Sequence, residues 1–71
     1  MKLSYNYAIL VAHCVELTRN AMQAYKIANH IEDEEDQLHT ALQLGLLHVG
    51  LTFDESSESY KKLYEQVKQN M

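Results

Sequence analysis

The apolar residues in the first half of the chain recur at alternating steps of four and three. Leu3, Tyr7, Leu10, Cys14, Leu17, Ala21, Ala24, Ala28 and Ile31 make up the series. This spacing holds one stripe on one helix face and predicts a long amphipathic helix over about residues 3–31. Unbroken, that helix would be roughly 40 Å long at the usual rise per residue. Ser4 is placed to cap its start. The two halves of the stripe differ in kind. From Ala21 onward it is mostly alanine, which lets another helix come close. From Tyr7 to Leu17 the segment is apolar nearly all round, with only His13 and Glu16 as polar interruptions. A helix that is apolar all round is buried on more than one side, so this half is expected to meet another molecule.

The acidic run Glu32-Asp33-Glu34-Glu35-Asp36 ends the pattern. Carboxylates favour the first turn of a helix and disfavour the last, so the run marks the start of a second helix with Asp33 as its N-cap. This helix is expected over about residues 34–49, with Leu38, Ala41, Leu42, Leu44, Leu46, Leu47 and Val49 on a wide apolar surface. Gly45 inside it costs about 1 kcal/mol relative to alanine, which close packing on the alanine half of the first helix would offset. Gly50 suits the left-handed position just past a helix end. Thr52-Phe53-Asp54-Glu55 has the form of a capping box opening a third helix, over about residues 53–69. Phe53, Tyr60, Leu63, Tyr64, Val67 and Met71 give it an apolar side. The expected architecture is all-α: a single domain, residues 1–71, forming a small three-helix bundle in which the long N-terminal helix packs against a two-helix hairpin.

Composition agrees with the helical pattern and changes the view of stability. The chain has 71 residues, two glycines and no proline, so the breakers that a loop-rich or β-rich fold needs are missing. A domain this short buries only about 60% of its unfolded surface and usually needs reinforcement. An internal disulfide is excluded because Cys14 is the only cysteine. Hydrophobic content is nonetheless 46%, so a dimer or a protein partner is expected. The net charge is −4 and the six basic residues are scattered, which disfavours nucleic acid and anionic membrane surfaces. No run approaches the length of a membrane span. Tyr7 to Ala12 is too short and too interrupted for a signal sequence, and the expected setting is the reducing cytoplasm.

The candidate chemistry is sparse. Gly45-Leu46-Leu47-His48-Val49-Gly50 resembles the Leu-Leu-His-Asp core of HD-domain phosphohydrolases and their non-catalytic signalling relatives, over Thr40 to Leu51. His13 can be set against an upstream histidine of that family. Val49 stands where the metal-binding aspartate would be, so the resemblance implies a degenerate module without hydrolase activity. Separately, His30, Glu35, His39 and His48 are weak candidates for a divalent metal, Glu35 and His39 being one helical turn apart. Cys14 lies on the apolar stripe and reads as a buried thiol rather than a nucleophile. The expectation is therefore a non-enzymatic interaction module — an adaptor, inhibitor or chaperone-like partner — that needs no cofactor. Its interface is expected at Tyr7, Leu10, Val11, Cys14, Val15 and Leu17, facing a second copy or another protein. The alternative is the degenerate HD-like or weak metal-binding module.

Overall fold

The four-three stripe does form a helix, but the helix stops short of its predicted end. The computed structural model describes residues Tyr5–Met71, so Leu3 and the proposed cap Ser4 lie outside the described residues. Helix α1 spans Tyr5–Ala24, and Lys26 then takes the left-handed conformation at φ 49° and ψ 48°. A short 3₁₀ turn, Ile27–Asn29, follows. The single helix over residues 3–31 is thus corrected to a shorter helix and a turn.

The reason lies in Ile27. Eighteen residues are five full helical turns, so in an unbroken helix Ile27 would point the same way as Ile9. Ile9 faces water, 52% exposed, whereas Ile27 is 3% exposed. The left-handed residue swings Ile27 back into a cluster with Ala21 and Ala41, joined by Met22, Ile31 and Leu44. Burying an isoleucine is worth roughly 1.5–3 kcal/mol, more than the ~1–2 kcal/mol that a left-handed non-glycine residue costs.

Helix α2, Glu34–His48, follows the sequence pattern closely. The Asp33 carboxylate accepts from the Asp36 backbone N–H at 3.0 Å, and three acidic residues occupy the first turn. At the other end Gly50 adopts φ 74°. The Leu51 N–H bonds to the Leu46 carbonyl and the Gly50 N–H to the Leu47 carbonyl, which closes the last turn as a Schellman motif.

Helix α3 is Glu58–Gln69, shorter than the expected 53–69. The Thr52–Glu55 capping box does not form. The Asp54 carboxylate instead accepts from the Ser56 N–H at 3.0 Å and the Ser56 hydroxyl at 2.7 Å. This local turn competes with a helix start, as Asp side chains commonly do. Ser57 is the cap, its hydroxyl accepting from the Tyr60 N–H at 3.1 Å.

Helices α1 and α2 form the most extensive pairing, and α2 and α3, the two helices of the expected hairpin, touch least. The point of closest approach is Gly45. A Cβ there would lie 2.9 Å from the Leu17 Cβ and 3.2 Å from the Leu17 carbonyl carbon and oxygen. The close packing foreseen for Gly45 is therefore present, against Leu17 rather than the alanines. The main core is Val11, Cys14 and Val15 from α1, Leu42 and Leu46 from α2, and Tyr60, Tyr64 and Val67 from α3. Thr18 is the buried polar residue in their midst, and its hydroxyl donates to the Cys14 carbonyl at 2.7 Å. The molecule measures 35 × 22 × 21 Å. Its sequence-based class, all-helical with three helices in one compact body, holds.

Gly45→Ala is expected to destabilise the fold by about 1 kcal/mol. Helix propensity gains about 1 kcal/mol, but overpacking against backbone atoms costs roughly 1–3 kcal/mol and the backbone cannot rotate away. Urea unfolding followed by circular dichroism measures this. An unchanged or higher midpoint would show that the α1–α2 contact is not tight.

Candidate functional site

The residues proposed for a metal do not come together in one cluster. His39 of α2 stacks face to face on Tyr64 of α3, with ring centroids 3.7 Å apart and planes within 8°. Its Nδ1 is hydrogen-bonded to the Tyr60 hydroxyl at 3.1 Å. Glu35 pairs with Lys68 at 3.0 Å, and this hydrogen bond is the first cause of the raised lysine pKa. His48 is hydrogen-bonded through Nε2 to the Tyr25 hydroxyl, with the two rings 5.7 Å apart. His30 is exposed on the turn after Asn29. Among the described residues no group of three or more His, Cys, Asp or Glu side chains is arranged to hold a metal ion. His39 and His48 instead serve the helix contacts. His39 joins α2 to α3, and the Tyr25–His48 pair ties the segment after α1 to the end of α2.

The six interface candidates separate into two groups. Val11, Cys14 and Val15 are enclosed by α2 and α3 of the same chain, and Cys14 has no exposed surface. These three are core residues, which corrects their assignment to an intermolecular face. Leu17 is partly buried against Gly45. Tyr7 is half-buried and Leu10 is 41% exposed. The all-round apolar character of this half has two origins. One face meets the core, and the other leaves Ile9 and much of Leu10 in water.

Tyr7 and Leu10 border an apolar groove of about 620 Å³. Leu46 at the end of α2, Leu51 and Phe53 in the connection, and Leu63 of α3 complete its walls. The groove exists because Gly50 turns the chain after α2. Leu51 and Phe53 then run back past the start of α1 instead of entering a helix at once. Leu51 stays 43% exposed, and the Phe53 ring lies 5.6 Å from that of Tyr60. Two charged residues stand at the edge, Asp54 and Lys62. The Ser56 hydroxyl and N–H hold the Asp54 carboxyl below its ordinary pKa, so it is an anion near neutrality. Sequence reasoning missed Leu51 and assigned Phe53 to a helix. The available signal was the apolar pair continuing beyond the helix-stop glycine.

A second concavity lies on the opposite side of α3, over the His39–Tyr64 stack. Glu35, Asp36, Glu55 and Glu65 line it with Lys61. It is polar and wide, and Gln43 bridges across it to Glu55. No helix of the described residues is long and apolar enough to cross a membrane. Compared with protein-family models, with curated proteins and with solved structures, the chain matches none of them.

Cys14 is expected to react with a soluble disulfide reagent about a hundredfold or more slowly in the native state than in urea, because attack requires opening of the core. Labelling kinetics followed by absorbance decide this. Rapid native labelling would place the thiol at a surface.

Burial raises the pKa of Cys14 and is also the first cause of the raised values of Tyr7, Tyr60 and Tyr64. A pKa raised on folding means that the unfolded chain loses its proton first as pH rises. Stability is therefore full below the ordinary values of 9.0 for cysteine and 10.0 for tyrosine, and falls above them. The melting temperature should be level through neutral pH and decline from about pH 9 upward. Thermal scans across that range test it, and a level profile to pH 11 would contradict it.

Proposed function

We propose that the chain is a non-enzymatic interaction module whose working surface is the groove between α1, the 49–57 connection and α3. The observation behind this reading is the exposure of Leu10 and Leu51 at the lip of a groove with apolar walls. Scattered apolar residues on a surface are ordinary, but a contiguous concave set marks contact with another molecule. Leu10 and Leu51 each keep about two-fifths of their surface in water. Covering them would remove apolar area at about 25 cal/mol per Å². Small size strengthens the case. A folded chain of this length is stabilised by roughly 4–10 kcal/mol, so contact with a partner adds a large fraction to the whole.

A photo-activatable side chain at position 51 tests the reading, with the same group at Lys61, which lines the polar concavity, as control. Irradiation in cells is expected to give one discrete protein adduct from position 51, identifiable by mass spectrometry, and none from position 61. Leu51→Ser should leave the melting temperature within the change expected of a surface substitution, about 0.5 kcal/mol. No adduct at position 51, or equal adducts at both positions, removes the groove as the working surface.

A further inference from the structure

We infer that α3 is a latch: it releases as a unit while α1, the Ile27–Asn29 turn and α2 stay folded, and its release uncovers an apolar face of the α1–α2 pair. The first observation is how the core divides. Val11, Cys14, Val15, Leu42 and Leu46 are closed over by Tyr60, Tyr64 and Val67 of α3. The other cluster, Ala21, Ile27 and Ala41 with Met22, Ile31 and Leu44, contains no residue of α3. The approach of Gly45 to Leu17 likewise joins α1 to α2 alone. The α1–α2 pair therefore keeps a core of its own, and its closest contact, when α3 is away.

The second observation is how α3 is attached. Among the described residues no backbone hydrogen bond joins it to α1 or α2. Its polar links to α2 are the Tyr60 hydroxyl with His39, the Tyr64 hydroxyl donating to the Glu35 carbonyl at 3.4 Å, and Lys68 with Glu35. The first two are only partly buried and the third is exposed, so water replaces them at small cost. The hold on α3 is then a single stripe of buried side chains, Tyr60, Tyr64 and Val67, at steps of four and three.

The third observation is the chain that leads to α3. Residues 49–57 contain no helix or strand. Ser56 and Ser57 bond to Asp54 within this connection, and Ser57 caps α3, so these bonds travel with the helix when it leaves. The exposed Gln43–Glu55 bond is the side-chain tie from the connection back to α2. A helix of 12 residues is marginal on its own in water, so α3 frays once released and its amides meet solvent. Cys14, which has no exposed surface, lies on the covered face and reports on the same event.

Native-state hydrogen exchange on the full chain, read residue by residue, tests the latch together with labelling of Cys14 by a soluble disulfide reagent. Amides of α3 should share one opening constant, about tenfold or more larger than that of the slowest amides of α1 and α2, and less dependent on urea. Cys14 should label with the α3 constant. Two variants separate release from unfolding of the whole. Ile27→Val weakens the cluster that holds no α3 residue, so it should speed the slowest α1 and α2 amides about fivefold and leave α3 amides and Cys14 labelling unchanged. Ser57→Ala removes the α3 cap and should speed both sets about fivefold, because complete unfolding includes the loss of α3. One constant shared by all three helices overturns the latch, as does equal acceleration of α3 amides by Ile27→Val. Cys14 labelling only at the slow α1–α2 constant overturns the uncovering of that face.

Discussion

The fold depends on one close contact, the approach of Gly45 to Leu17. A Cβ at position 45 has no room beside the Leu17 backbone, so α1 and α2 lie as near as their main chains allow. This closeness lets a chain of 71 residues enclose Leu42 and Cys14 completely. It also fixes the groove. The end of α2 is drawn against the first half of α1, and the chain leaving Gly50 has to pass beside Tyr7 and Leu10. A wider spacing would open the core and flatten the groove together.

The sequence was most legible where the signals are local. Asp33, the acidic first turn and Gly50 each act within a few residues, and α2 appears where they put it. The break in α1 was harder to see because Lys26, without the freedom of glycine, takes the left-handed conformation. A signal did exist. Ile9 and Ile27 share an azimuth on an ideal helix, and a small domain does not have the means to cover both. The start of α3 was misread because Asp54 offers its carboxylate to Ser56 rather than to a helix. That contest between a turn and a cap is decided by fractions of a kcal/mol, beyond what residue type alone reveals.

The candidate site was legible in outline but not in detail. Excess apolar character between Tyr7 and Leu17 pointed toward contact, yet it did not say which residues would turn inward. Val11, Cys14 and Val15 are covered by Tyr60, Tyr64 and Val67, about fifty residues away in the chain, and such pairings leave no local trace. The contacts of His39 and His48 were not legible for the same reason, since they depend on Tyr25, Tyr60 and Tyr64, which come from other parts of the fold. Once these contacts are known, His39 and His48 read as helix fasteners.

Helix α3 is the least firmly held element. Its backbone touches both neighbours lightly, and much of its hold comes from the side chains of Tyr60, Tyr64 and Val67 and the exposed Lys68–Glu35 pair. Elements with few packed contacts open at lower free energy than the whole molecule unfolds. Because Leu63 and Tyr60 line the groove, each opening of α3 dismantles the groove as well. Occupancy and helix closure are thus one thermodynamic cycle: whatever fills the groove slows the breathing of α3, and whatever loosens α3 releases the occupant.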